Sequence, residues 1–486
     1  MTKRGFFNNI KPKNKLFFGV LLIFLSYLIK FGTESLINLI IRSQLEFVEG
    51  SYHFRMWRAN EYPYEVEFYF FNWTNSDRVR DPNIKPRFEE IGPYRFELYI
   101  NRTDIRIHHE NSSVTYAFTK RFVHIPNMAD RSLDDVIITL NPIANALAYQ
   151  ARQWSAFLKF GASLALRATK SELFVKKTVQ ELLFEGYDDP LLDFVQKIPN
   201  FATQGLGMEL KDKFGYFYKR NYTDLYFGPY NVHVNVDEFY GNIHTIKNST
   251  TTPYFPGTCG RVHGKLGEFA DPGHDQTQPM VVYVHDLNVF TNNYFLEERM
   301  FNGVVGSVYA PKDYIFDNGT YDKSNECFCF GECVPVGMLN SSATFAHAPI
   351  FMSLPHFLLA DPVYQNGVDI VYRDNSSLMP YIAVEQTTGL LLDGSLNIQL
   401  NMLLQPVKGL GLFSDVPRVF MPVFSMKQHV VTRGGYLDLL VVLQKVPIVI
   451  NCLSFLTLAA GVGLLLFVRI SLNDNLYREY RQVQTK

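Results

Sequence analysis

The chain has 486 residues, with 46 Lys and Arg against 47 Asp and Glu and a formal net charge of -1 at pH 7. That balance excludes the concentrated basic face a nucleic-acid partner requires. Aromatics make up 15% of the residues, and Phe (41) far outnumbers Trp (3), a bias that suits either a large β-rich core or a greasy binding cavity.

In chain order, the first element is apolar. Leu16 to Ile29 follows a basic leader of Lys3, Arg4, Lys11, Lys13 and Lys15 with no acidic residue before Leu16. The strictly apolar part has roughly the length of a signal-peptide core. No small-x-small cleavage pattern follows, however, and apolar character resumes through Phe31 and Leu36 to Ile41. The expectation is a retained transmembrane helix over 16–38 that runs on into the outer part, behind a tail of 1–15.

The segment 39–445 mostly reads as strand. Val66, Phe68 and Phe70 alternate with Glu65 and Glu67; Val114, Tyr116 and Phe118 alternate with Thr115 and Thr119; Leu396 to Leu404 alternates with Asn397, Gln399 and Asn401. Period two of this kind predicts half-buried antiparallel strands. His108 to Ser113 reads as a hairpin turn.

One region, 133–195, breaks the pattern. Asn141-Pro142 sets a capping residue before a proline at the first helical position. Thr169-x-x-Glu172 reads as a capping box for a helix carrying Val175, Val179, Leu182 and Leu183 on one face and ending at Gly186. Asp189-Pro190 starts a short helix through Val195. With no repeat or low-complexity linker, 39–445 is expected to be one large β-rich domain with a helical insert.

The second span is Val446 to Val468, long enough for a core of about 30 Å at about 1.5 Å per residue. It is followed by a tail of 469–486 carrying Arg469, Arg478, Arg481 and Lys486. Basic residues flank both spans on the tail side, so both tails are expected in the cytoplasm and 39–445 outside it. Sequons agree: Asn72, Asn101, Asn111, Asn221, Asn248, Asn318, Asn340 and Asn375 all lie between the spans. So does cysteine usage. Cys452 sits within the second span, while Cys259, Cys327, Cys329 and Cys333 are an even outer set that permits three pairings. The Cys-x-Cys-x-x-x-Cys spacing fits no common zinc module. The fold class expected is an α+β membrane protein, two transmembrane helices flanking one β-rich ectodomain.

Catalytic signatures are missing. There is no HExxH helix or Gly-x-Ser-x-Gly elbow, and Gly260 to Lys265 is too short between glycines for a phosphate loop. His356 reads as a hydrogen-bonded core residue and Asp188-Asp189 as a helix cap. No enzyme activity, cofactor or metal is expected.

Five motifs then occur in order: Glu49-Gly50 with Phe54 and Trp57; Ile91-Gly92-Pro93-Tyr94; Glu181 to Pro190; Cys327-Phe-Cys329; and Ser353-Leu-Pro-His-Phe357. The ordered set resembles the class B scavenger receptor family, which includes the fatty acid translocase also called platelet glycoprotein IV, the lysosomal integral membrane proteins and the sensory neuron membrane proteins. Read physically, Gly92-Pro93 suits a turn into the next strand, and Gly50 relief of backbone crowding at the membrane exit.

The resemblance implies an apical helical bundle, here the insert, and a hydrophobic tunnel towards the bilayer. It implies binding of fatty acids, lipoproteins or other lipid at the apex and passage of lipid inward. Lys159, Arg167, Lys170, Lys176 and Lys177 would then give the apex a basic entrance. It further implies the pairings Cys259–Cys327 and Cys329–Cys333. The third disulfide of vertebrate members is absent, its positions falling near Leu287 and Thr344. The rival functions are a lysosomal or endosomal sorting or docking receptor, and an adhesion or pathogen-recognition receptor. The tail has no acidic dileucine, but Tyr480-Arg-Gln-Val483 fits a tyrosine-based endocytic signal for an adaptor. That points to the plasma membrane, with endosomal or lysosomal membrane as the other placement.

Overall fold

The computed structural model describes residues 12–59, 63–126, 131–196, 212–219, 225–236, 239–312, 314–345, 347–372 and 378–484. Helix α1 (Pro12–Leu45) is apolar over the candidate span Lys13–Ser43. Its 34 residues are about 50 Å long, more than a bilayer core needs. It therefore continues beyond the span, and Ile41 and Leu45 bury against Val304, Leu390 and Leu392 of the body. Gly50 follows at φ +92° with nothing within 4 Å of where a Cβ would sit. The left-handed backbone, rather than the crowding expected, is what calls for glycine there. Helix α2 (Tyr52–Ala59) then packs Phe54 and Trp57 inward.

The body is one mixed sheet of mostly antiparallel strands. Strands β1 (Tyr64–Trp73), β2 (Arg87–His108) and β3 (Ser113–His124) form a meander with the expected hairpin at 108–113. The expected turn at Gly92-Pro93 does not form. Both residues lie within the continuous β2, opposite a register shift between Phe68 and Phe70, and a Cβ on Gly92 would stand 2.8 Å from the Phe68 carbonyl oxygen. The glycine permits a close strand approach.

The insert begins with β4 (Val136–Leu140), followed by α3 (Pro142–Ala151) and α4 (Ala156–Ala168). Asn141 caps α3 as expected, its Oδ1 accepting from the N–H groups of Ile143 and Ala144. The capping box at 169–172 and its helix are corrected. Thr169 ends α4, its hydroxyl donating to the Ala165 carbonyl, and Phe174–Thr178 forms strand β5 paired with β4. Residues 181–185 make a single π-helical turn ended by Gly186. The β-branched run through Val175 and Thr178 favours the strand, and the wider turn buries Leu182, Leu183 and Phe184 together. Helix α5 (Pro190–Gln196) is capped by Asp189 as expected.

Beyond the insert come β6 (Leu225–His233), β7 (Ile243–Ile246), β8 (Met280–Val284), β9 (Val289–Phe301), β10 (Val304–Ala310), β11 (Leu339–Asn340) and β12 (Ile350–Ser353). Helix α6 (Pro362–Asn366), β13 (Asp369–Val371), β14 (Tyr381–Val384), β15 (Leu391–Leu404) and β16 (Val419–Val431) complete the body. The main strand order is β7-β6-β3-β2-β1-β16-β15-β14-β10-β9-β8. Its two ends meet. Ile243 N–H donates to the Gly264 carbonyl, and Lys265 exchanges backbone hydrogen bonds with Val281 and Tyr283. The path thus closes into a barrel, and with this many strands side chains no longer fill the interior.

β1 and β3 show the expected alternation. β15 does not, because Asn397, Gln399 and Asn401 are only 2%, 0% and 0% exposed. A second layer covers that face, with Asn401 Nδ2 donating to Ser353 Oγ (3.0 Å) and His356 N–H to Gln399 Oε1 (2.7 Å). The phenylalanines serve chiefly the core, where Phe68 contacts Phe96, Phe122, Phe184, Phe217 and Phe424.

Helix α7 (Gly435–Gln484) contains the second span and continues through the tail. It packs along α1, where Ser26 Oγ donates to the Ser454 carbonyl (2.8 Å) and Ser454 Oγ to that of Ser26 (3.1 Å). β15 starts beside this helix pair at Leu392 and ends roughly 45 Å away, where Asn145 of α3 donates to the Leu403 carbonyl.

Candidate functional site

A cavity of about 180 Å³ lies inside the barrel. It forms where β15 changes partner, pairing with β14 over 391–395 and with β12 over 399–402. Leu396, Asn397 and Ile398, unpaired on that edge, face the space with Leu354, Pro380 and Ile382. A second cavity lies beside it, sharing Tyr64, Glu268, Leu391 and Val430 and reaching Leu390 and Arg433 near the transmembrane pair.

The carboxylate between the two cavities is fully compensated. Glu268 accepts from Trp57 Nε1 (2.9 Å), from the Tyr116 hydroxyl (2.8 Å) and from Arg102. Arg102 also donates to the Trp57 carbonyl (2.6 Å) and lies over the Trp57 ring. Burial favours the neutral acid, but the Arg102 charge and these hydrogen bonds hold the Glu268 carboxyl below its usual range. Four elements therefore converge on one side chain: α2, β2, β3 and the loop before β8. A second pair, Lys120 with both oxygens of Asp286 (2.8 and 3.0 Å), is joined by Gln428 Nε2 (3.2 Å). Burial drives the neighbouring His285 below its ordinary value and so keeps it neutral, although Asp286 pulls the other way. Sequence reading picked out Trp57 as a motif residue and Tyr116 as a strand position but missed the charged groups, because nothing local pairs positions 102 and 268 or 120 and 286.

The basic residues proposed for an entrance are spread over three elements. Lys159 is half-buried on α4, Arg167 is exposed in its last turn, Lys170 is exposed in the following turn and Lys176 is exposed on β5. None of them lines the cavities described here. Lys177, on the opposite face of β5, pairs with Glu181 (3.5 Å) and lies over the Tyr187 ring. What α4 does present is apolar. Phe157, Phe160 and Leu164, on one helical face, are 83%, 62% and 49% exposed. The signal was legible in Ala-Phe-Leu-Lys-Phe-Gly-Ala-Ser-Leu-Ala-Leu, which has no polar face for solvent.

Cys259 is bonded to Cys327 and Cys329 to Cys333. The short second loop presents Glu332 to Arg152 (2.6 Å) at the end of α3 and to Arg418 (2.7 Å) before β16. His356 is a buried core residue on Glu90 (2.8 Å), as read from the sequence. Among the sequons, Asn101, Asn111 and Asn248 are exposed, Asn72 is half-buried on β1, and Asn318 and Asn340 donate through Nδ2 to backbone carbonyls. Asn221 and Asn375 lie outside the described residues. Tyr480 and Val483 are exposed on the last turns of α7.

Two terminal spans around a closed β body that encloses a cavity define a two-span membrane protein with a single large ectodomain. The chain matches the CD36 family over residues 17–472 and belongs to that family. It is 30% identical over 390 residues to Protein peste of Drosophila melanogaster (78% of this chain, 68% of that protein). It is 25% identical over 456 residues to Scavenger receptor class B member 1 of Bos taurus (93% and 87%). It is also similar to Lysosome membrane protein 2 of Homo sapiens, 24% identical over 428 residues (87% and 86%). The expected resemblance is borne out, and the protein is a scavenger-receptor-like membrane receptor.

Proposed function

We propose that the protein binds lipidic ligands at the helices far from the membrane and passes lipid through the barrel interior to the bilayer, without covalent chemistry. The observation that carries this reading is the run of adjoining cavities ending beside α1 and α7. The apolar face of α4 supports capture at a lipid surface. Burying a Phe contributes about 1.5–3 kcal/mol, whereas a lysine near an anionic surface contributes about 1 kcal/mol. Phe157 and Phe160 therefore outweigh Lys159 and Lys170, which add charge selectivity. Plasma membrane is the placement favoured, with Tyr480 and Val483 as an adaptor signal that engages once the last turn of α7 unwinds.

The test separates capture from passage. Lys159→Glu with Lys170→Glu should reduce association of anionic vesicles at low salt, at unchanged surface expression. Ile398→Trp, which fills the cavity, should block uptake of a neutral lipid while leaving association intact. Uptake by the wild type no higher than in untransfected cells, across a lipid panel, would refute lipid passage. The same α4 face suits a protein partner, so such a result would favour the docking-receptor reading.

A further inference from the structure

A third cavity, of about 550 Å³, opens on the side of the body and shares Thr291, Pro311, Ile315 and Phe316 with the interior cavity. Its floor is apolar, with Phe290, Ile315, Phe316 and Phe328. Its rim is aromatic and carries two cations, Lys312 and Lys323, beside two acids, Asp317 and Asp322. Tyr314 stacks on Tyr321, and Lys312 Nζ lies 3.8 Å from the Tyr294 ring centroid. Lys312 and Lys323 are exposed, and neither has a carboxylate within ion-pair distance among the described residues. The rim acids are otherwise engaged. Asp317 accepts from the N–H groups of Thr320, Tyr321 and Asp322 and from Asn325, and Asp322 accepts from the N–H and hydroxyl of Ser324. Lys312 and Lys323 are the cationic donors among the described residues of this rim.

We infer that this side pocket is a lateral binding site for a single-chain amphiphile with a carboxylate head, held by Lys312 and Lys323 with its tail laid over Ile315 and Phe316 into the interior cavity. The interior explains the orientation. Its lining contains no Lys or Arg, and its one carboxylate, Glu268, is already matched by Arg102. An ionised head would be desolvated there without a partner. At the rim it stays in water beside two cations, while the chain gains apolar contact. The site rests on the interior cavity accepting lipid, as proposed above, but it is separate from the distal helices.

Full-length protein in detergent micelles, with empty micelles subtracted, is tested with tritiated oleate and oleyl alcohol at pH 8 and low salt. The two probes share a chain and differ in head charge. Lys312→Glu with Lys323→Glu should weaken oleate about tenfold and oleyl alcohol less than about twofold, and added salt should narrow the difference. Ile315→Trp should weaken both. Unchanged oleate affinity in the Lys312/Lys323 variant overturns the site. If oleate instead falls only in the Lys159/Lys170 variant, the head binds at the distal helices, which overturns this site and leaves the proposed function standing. If the wild type binds neither probe, the cavity reading fails and this site fails with it.

Discussion

At the scale of residues, the group with the largest consequence is Glu268 with Arg102. The side chains of both are largely buried, at 19% and 5% exposure, so each stabilises the other against desolvation. Arg102→Met should destabilise the protein by about 3–5 kcal/mol, since it strands the carboxylate, and surface expression should fall sharply. Arg102→Met combined with Glu268→Leu should recover much of that loss. A double variant as poor as the sum of the singles would mean that the pair does not act as a unit. The same pair sets a pH dependence. The folded carboxyl sits below its unfolded value, so its contribution is present above the unfolded pKa of about 4.3 and is lost as pH falls through the lower folded value. Glu268→Gln should therefore flatten acid unfolding monitored by Trp fluorescence. A wild-type acid profile in that variant would remove Glu268 from the account.

Among elements, the pairing of α1 with α7 decides how the ectodomain is held. Small residues let the helices approach: a Cβ on Gly19 would stand 2.6 Å from Leu465 Cδ2, and one on Gly461 would stand 3.0 Å from the Gly19 carbonyl oxygen. One heptad away in each helix, Ser26 and Ser454 exchange hydrogen bonds with Oγ atoms 3.1 Å apart. With Cys452 replaced by Ser, the pair Ser26→Cys and Ser454→Cys should crosslink in oxidised membranes, read by a mobility shift on non-reducing gels. Adding Gly461→Leu should prevent it by forcing the helices apart. Crosslinking undiminished by Gly461→Leu would show that the helices do not pack on this face. Helix α4 is the other instructive element. Of the basic residues that the resemblance implied for an entrance only Lys159 and Arg167 lie on it, and its exposed surface is dominated by Phe157, Phe160 and Leu164.

For the whole molecule, topology and glycosylation follow from the hairpin arrangement. Epitope tags at both termini should stain only after permeabilisation, and surface staining of an N-terminal tag would refute two-span insertion. A glycan replaces one N–H of the asparagine amide. Asn340 uses Nδ2 for both the Phe330 and Glu332 carbonyls (3.1 and 3.2 Å), whereas Asn101, Asn111 and Asn248 are exposed. Substituting Gln at each of these four should shift gel mobility for Asn101, Asn111 and Asn248 and leave it unchanged at Asn340. A mobility loss for Asn340→Gln would mean that its loop forms without those two bonds.

The sequence by itself determined the two spans, the strands of alternating pattern, the caps at Asn141 and Asp189 and the family, because each rests on local spacing or on short motifs in order. It misread 172–186 as helix and the polar face of β15 as solvated. Those outcomes were decided by distant partners, β4 pairing with β5 and the 353–356 segment covering Gln399 and Asn401, while Asn397 turns to the interior cavity and the Met379 carbonyl. Only the tertiary structure brought Glu268 to Arg102, closed the sheet through Lys265 and parted β15 from β14 to open a cavity. Contacts between residues well separated in the chain, 166 positions for Arg102 and Glu268, leave no period in a linear sequence, so the greasy composition was visible beforehand and the shape of the space it encloses was not.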